Sequence, residues 1–293
     1  MLIKVSSDSY RVPFALPAVF SFGRRPFCML DDLQVIVKTF PDEMDVLRVY
    51  ALGDVHVGSP QFDERAIKKK IDIIKNDPNG AVCICGDLGD FGLKNSKTNI
   101  YEVTMTIREQ IEYIYELFFP ITDKIVSVVP GNHEERLTKE VGTCPLYDLC
   151  VRWGIQDVYR QNAAILKLCF GSFYKGSRPI VFFGVTSHGS SRNKHQRFIS
   201  CFDGADFFIS GHTHTPAYTP HGKIRIDAIN ETATHIPYKE IVVDASLTPG
   251  GYSMKFEYEI QAPPELQYLE LSAYRENRTR QKRKVMSYHA IQI

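Results

Sequence analysis

Five apolar runs in this chain stop in the same way. "VLRVYALG" meets Asp54-Val55-His56, and "GAVCIC" meets Gly86-Asp87-Leu88-Gly89-Asp90. "KIVSVVP" meets Gly131-Asn132-His133-Glu134, "PIVFFGVTS" meets His188-Gly189, and "ADFFIS" meets Gly211-His212-Thr213-His214. Short runs rich in Val, Ile and Phe and bounded by Gly or Pro read as buried strands. In open α/β sheets the carboxyl ends of strands share one edge, so residues placed there converge in a crevice. The fold must therefore bring Asp, His, Asp, Asn, His, His and His to one place. Where Gly stands directly before the polar residue, it allows a sharp turn of the backbone.

Between the strands the rhythm becomes helical. "DERAIKKKIDIIKND" carries Ala66, Ile67, Ile71 and Ile74 at helical spacing, with Asp63 as N-cap. A second helix runs from Ile107 to Phe119 and stops at Pro120, and "CPLYDLCVRWG" reads as a short helix closed by Gly154. Further strands are expected at "AAILKLCF" and "KEIVVDAS". Strand-helix-strand-helix-strand followed mostly by strands implies an α/β fold with a mixed sheet, or two sheets face to face with helices outside. Residues 1–45 read as an extension of short strands ("LIKVS", "LQVIVKTF") separated by Pro13, Pro17 and Pro26, packed on a core at 46–250. Residues 251–293 are expected to complete the same domain with strands and a basic tail, "YRENRTRQKRK".

Composition removes several classes of partner. Lys+Arg 35 against Asp+Glu 34 leaves a net charge of +1 over 293 residues, so no overall field recruits nucleic acid or anionic lipid. No apolar run is long enough to span a bilayer, and the N-terminus, with a lone Lys4 and prolines in its apolar part, makes a poor signal peptide. Seven cysteines without metal-type C-x-x-C spacing read as reduced thiols, which points to the cytoplasm.

Imidazole nitrogen with carboxylate and amide oxygen, and no thiolate, suits Mn²⁺, Fe or Zn²⁺. Seven such ligands exceed one tetrahedral site and fit two ions sharing a bridging carboxylate. Two ions about 3.5–4 Å apart are a recurrent device for splitting phosphoesters: they acidify a bound water and neutralise charge on the phosphoryl and leaving oxygens.

With "DVH", "GDLGD", "GNHE", "SHG" and "GHTH" in that order, the chain resembles the calcineurin-like metallophosphoesterase superfamily, whose pattern runs D-x-H, G-D-x-x-D, G-N-H-[DE], H, G-H-x-H. The resemblance covers residues 46–250 and extends in general texture to uncharacterised phage and bacterial phosphoesterases. It implies a two-sheet mixed β-sandwich flanked by helices in four layers, αββα, and two divalent ions, Mn²⁺ foremost. Carried over by position, Asp54, His56 and His214 would hold one ion, Asn132, His188 and His212 the other, and Asp87 would bridge them. His133 would not bind metal; it would face the substrate as general acid or charge stabiliser, oriented by Asp90. Glu134 and Glu135 read as loop or helix-start residues. His188 is preferred to His195 because a strong strand precedes it, and His221, His235 and His289 match no motif. Arg136, Arg192 and Lys194 are candidates for meeting substrate phosphate.

The resemblance also narrows the ester. Protein phosphatases of this superfamily carry an Arg after the second motif and another before G-N-H-E; "GDLGDFG" lacks the first, and Pro130 replaces the second. The double-strand-break repair nucleases have a His where Asp90 stands. A phosphodiesterase is therefore expected, acting on a small phosphodiester, a nucleotide or a nucleic-acid end. Its alternatives are a phosphomonoesterase or protein phosphatase, and a nuclease that contacts DNA or RNA through the basic tail. A non-catalytic scaffold should have lost ligands, and none is missing.

Overall fold

In the computed structural model, residues 33–94, 102–171, 178–190, 192–250, 263–275 and 282–293 are described. Two mixed sheets pack face to face. The first runs in the order β1 (Ile36–Thr39), β5 (Ala163–Phe170), β6 (Ile180–Ser187), β7 (Phe207–Ser210), β9 (Thr232–Val242) and β8 (Ala217–Asp227). The second runs β11 (Lys282–Gln292), β10 (Glu265–Arg275), β2 (Val46–Leu52), β3 (Gly80–Ile84) and β4 (Ile125–Val128). Strands β2, β3 and β4 are parallel, as are β6, β7 and β9. Each sheet thus has neighbouring carboxyl ends, and the polar motifs hang from them.

Every residue of β3 is buried, as expected of a central parallel strand covered on both faces. Alternation sorts the first sheet: Phe207 and Ile209 of β7 face the main core, while Phe208 joins Val185, Ala163 and Ile199 beneath α5 (Arg192–Ser200). A buried hydrogen bond at 2.9 Å, between the hydroxyls of Ser127 on β4 and Thr186 on β6, ties the sheets together. On the outer side of the second sheet lie α1 (Glu64–Asn76) and α2 (Ile107–Phe118). Asp63 caps α1 by accepting the Ala66 N–H at 2.9 Å. Thr106 and Glu109 form a capping box on α2, which ends in a 3-10 helix, Phe119–Lys124, begun by Pro120. Helices α3 (Asn132–Val141) and α4 (Pro145–Arg152) follow β4.

β1 pairs in parallel with β5, and β10 lies antiparallel beside β2, so described segments from both chain ends are hydrogen-bonded into the sheets. The expected strand "LIKVS" and Pro13, Pro17 and Pro26 lie outside the described residues, as do Arg278 and Arg280. Of the basic tail, Lys284 is committed to Asp206 at 2.7 Å. Two further elements lie where the sequence pattern gave no reading. "RNKHQRFIS" forms α5, and "AYTPHGKIRID" forms β8, the edge strand of a long hairpin with β9.

Lys70 stands in "KKK" yet lies on the buried face of α1, 1% exposed, with its ammonium 3.1 Å from Asp244. Burial lowers the Lys70 pKa and raises that of Asp244, so each charge depends on the other for compensation. Breaking a buried pair by removing one partner costs about 3–5 kcal/mol. Lys70→Met is expected to lose that much stability in urea unfolding; an unchanged midpoint and slope would contradict the assignment.

Candidate active site

The motif loops leave the two sheets at the same edge and interlock through their backbones. Asp54 N donates to Gly86 O, and Val55 N and His56 N both donate to Asp87 O, all at 2.9–3.0 Å. The chain adopts left-handed backbone at Asp54, His56, Asp87, His212 and His214, with φ between 47° and 77°. Such conformations are uncommon outside glycine, and clusters of them mark functional sites. The glycines before the motifs have a reason other than the expected sharp turn. Only Gly86 has positive φ (+83°); Gly131 has φ −96°. A Cβ on Gly86 would stand 2.1 Å from Gly131 N, one on Gly131 would stand 2.1 Å from Asp87 Oδ1, and one on Gly211 would stand 2.7 Å from Asp54 Oδ2. Close approach of the loops is what excludes a side chain there.

All seven candidate ligands come together. His56 Nε2 and His214 Nε2 are 3.0 Å apart, and Asp54 Oδ1 is 3.8 Å from His214 Nε2. On the other side Asn132 Oδ1 lies 3.0 Å from His188 Nε2 and 2.8 Å from His212 Nδ1. Asp87 Oδ2 lies 3.3 Å from His188 Nε2 and, through the other oxygen, Asp87 accepts the His133 backbone N–H at 2.8 Å.

The donor set fits cations. Asp54 Oδ1 is fully buried and has no hydrogen-bond partner among the described residues. His188 donates from Nδ1 to the Cys85 carbonyl at 2.7 Å, so in the neutral ring Nε2 carries a lone pair. That lone pair faces a carboxylate oxygen and an amide oxygen, an arrangement of acceptors that needs positive charge between them. Ligands bonded to one ion at about 2.0–2.2 Å lie roughly 3–4 Å apart, the spacing seen here. Asp54, His56 and His214 form one group able to hold an ion, and Asp54, Asp87 and His188 another; a third, His56, Asp87 and His133, includes the histidine expected not to bind metal.

Electrostatics support the same conclusion. Burial, followed by His133 and His214, holds His56 well below the ordinary histidine value, and burial brings His214 down to about 4. Neutral imidazoles are the ligating form. Burial pushes Asp54 up to about 7 against the pull of His188. Burial would also raise Asp87, yet His188 and then His133 hold it far below the carboxylate range, while Asp87 raises His188 despite burial. The carboxylates demand positive charge: a proton on His188 meets that demand, and so would a divalent cation held by the lone pairs.

His133 packs edge-on against His56, with ring centroids 4.5 Å apart. Its Nδ1 donates to the backbone carbonyl of Asp90 at 2.6 Å, whereas the Asp90 carboxylate is 3.5 Å away. The expected orienting contact of the Asp90 side chain is thus secondary to its main chain. That carboxylate also lies 3.8 Å from His56 Nδ1.

Glu134 stands in the first turn of α3, the helix-start position expected of it, and does more there than favour a helix N-terminus. It is fully buried, and its carboxylate accepts the backbone N–H groups of Asp87, Leu88 and Gly131, each at 2.8 Å. One side chain therefore clamps the loop after β3 to the loop after β4. The signal was the fourth letter of "GNHE", but its partners are backbone groups that no side-chain pattern reveals. Half-buried Glu135 forms an i,i+4 pair with Lys139 and lines the cavity beside the cluster.

The remaining candidates lie apart from the ligands. His195 is buried against Glu240 at 3.3 Å, a carboxylate it shares with His221 at 2.7 Å. His289 stacks on Tyr268, and His235 is exposed on β9. Burial raises the Asp90 pKa, and His133 and then Arg136 oppose that rise without cancelling it. Lys194 lines a cavity beside the cluster, and the Arg192 side chain lies outside the described residues.

Comparison with known proteins adds the following. A conserved uncharacterised protein of Streptococcus pneumoniae TIGR4, a predicted phosphoesterase, is 12% identical, covering 83% of this chain and 99% of that one, with a TM-score of 0.34. A metallophosphoesterase from Sphaerobacter thermophilus is 15% identical, covering 84% and 89%, with a TM-score of 0.37. GAP50, the anchor in the inner membrane complex of Plasmodium, is 12% identical, covering 85% and 90%, with a TM-score of 0.40. No curated protein matches by sequence. Residues 47–216, more than half of the chain, match the calcineurin-like phosphoesterase family model, and they carry every motif gathered at this edge of the two sheets: the chain belongs to that family.

Proposed function

We propose that this metal-dependent phosphoesterase hydrolyses phosphodiesters with two divalent ions, Mn²⁺ foremost, held by Asp54, His56, Asp87, Asn132, His188, His212 and His214. The observation that carries the diester reading is the placement of a cavity of about 410 Å³. Asn132, His188 and His212 line it; Asp54, His56, His133 and His214 do not. A monoester has one arm, which leaves. A diester has two, and this site has two places: one beside His133 for the leaving oxygen, one in the cavity for the arm that stays.

Bound ions would supply Lewis acidity and an activated water. The chain's own residues do the rest. Asp87 and Asn132 are held in place by the Glu134 clamp, and His188 by the Cys85 carbonyl. His133, fixed through Nδ1 on Asp90 O, turns Nε2 toward the Asp87 side of the site, at 4.0 Å from Asp87 Oδ2. From there a protonated Nε2 can hand its proton to the departing oxygen.

Protein dialysed after Mn²⁺ loading is expected to retain two ions per chain by elemental analysis. It should turn over bis-p-nitrophenyl phosphate with a higher kcat/KM than p-nitrophenyl phosphate. One ion per chain would refute the dinuclear reading, and a preference for the monoester would refute the diester reading. The paired monoesterase and nuclease readings are separated by the same panel extended to labelled single- and double-stranded DNA. Among the described residues no helix is long and apolar enough to cross a membrane.

A further inference from the structure

We propose that the cavity beside Asn132, His188 and His212 is a nucleoside-binding subsite, which makes the retained arm of the diester a nucleoside; this rests on the phosphodiesterase reading above. Away from the metal ligands its lining includes amide, aromatic and charged side chains, Glu135 and Lys194 among the last. One wall carries consecutive side-chain amides, Gln161 and Asn162, just before β5, and another carries Lys194, His195 and Phe198 from α5.

The Phe198 ring is 36% exposed, although it is a large hydrophobic side chain next to a charged catalytic site. His195 beneath it, inclined at 27° with centroids 6.5 Å apart, and Phe202, edge-on at 5.0 Å, set its position. His195 is itself buried, with Nε2 3.3 Å from Glu240 on β9, so α5 presents the ring from a packed support. An aromatic face kept partly open at a cavity wall suits stacking with a planar ring.

Gln161 is oriented in a similar way. The Tyr159 hydroxyl lies 3.4 Å from both Gln161 Oε1 and Cys144 Sγ, either of which can accept its proton, and Gln161 Nε2 has no hydrogen bond among the described residues. An amide with free donors beside an aromatic face is the pairing that reads the edge of a nucleobase while its plane is stacked. The volume, about 410 Å³, lies in the range of small-molecule sites, roughly 300–1,000 Å³. That is room enough for one nucleoside.

The test uses the full-length, Mn²⁺-loaded protein and two esters with the same leaving group. In the p-nitrophenyl ester of thymidine 5′-monophosphate the retained arm is a nucleoside; in methyl p-nitrophenyl phosphate it is a methyl group. The nucleoside ester is expected to have a KM at least tenfold lower. Stacking is worth about 1–3 kcal/mol per base, so Phe198→Ala should raise KM for the nucleoside ester by about 5–150-fold relative to the methyl ester. Gln161→Ala should act in the same direction. Calorimetric titration with thymidine 5′-monophosphate, against inorganic phosphate as control, should show the nucleotide binding more tightly and Phe198→Ala abolishing the difference. Equal KM values for the two esters, or equal binding of nucleotide and phosphate, would overturn the subsite. If neither ester turns over, the phosphodiesterase reading fails, and the titration still decides whether the cavity takes a nucleoside.

Discussion

His133→Ala is expected to keep the metal content of the wild-type protein while slowing hydrolysis of an alkyl phosphodiester by about 10²–10⁴-fold, the usual contribution of general acid catalysis. The expectation follows from position. His133 sits between Asp90 and the cluster, with Nδ1 committed to the Asp90 carbonyl and Nε2 facing the site. The loss should shrink for a p-nitrophenyl ester, because p-nitrophenolate departs readily without a proton. Asn132→Ala, one residue away, should behave in the opposite way. Its Oδ1 lies within 3.0 Å of both His188 and His212, so its removal should empty one metal position, and added Mn²⁺ should restore part of the rate. Asp90→Asn should be milder than His133→Ala, since the backbone carbonyl that holds the imidazole survives the substitution. Because His133 also completes a possible ligand group with His56 and Asp87, metal analysis is the discriminating measurement. Loss of an ion from His133→Ala, or full activity on the alkyl ester, would remove His133 from the role of acid.

The second large effect is assigned to a residue that touches neither substrate nor metal in this reading. Glu134→Gln is nearly isosteric, yet it replaces an acceptor oxygen with an N–H₂ group. The wild-type carboxylate receives three backbone N–H donors, so one of them must then face another donor. An unsatisfied buried donor costs about 1–3 kcal/mol, and supports of ligating residues typically affect metal affinity or activity by about 10–100-fold. Glu134→Gln is therefore expected to fold, to bind Mn²⁺ about 10–100-fold more weakly in a titration, and to recover turnover at high Mn²⁺. Wild-type affinity in a folded Glu134→Gln protein would show that the clamp does not position Asp87 and Asn132.

Much of this was legible before any coordinates. Strands and helices with strong periodicity, such as β3, β6 and α1, declared themselves because both their burial and their spacing are written in single residue types. The set of seven acceptors declared itself because each stands immediately after such a strand. The β8–β9 hairpin did not, since an edge strand with half-exposed faces needs no apolar run and tolerates Pro220 and Gly222. Lys70 was hidden for a related reason: its place on the buried face of α1 is tolerable only through Asp244, 174 residues further on.

The sequence by itself determined which chemistry the chain can carry, because ligand type and strand-end position are local properties. Only the tertiary structure decided how that chemistry is held. It showed that Gly131 and Gly211 are required by the closeness of carboxylates on other loops, that the Asp90 main chain outranks its side chain as support for His133, and that Glu134 locks two loops from inside. Each of these is a contact to backbone or across loops distant in sequence, where the identity of one partner carries no trace of the other.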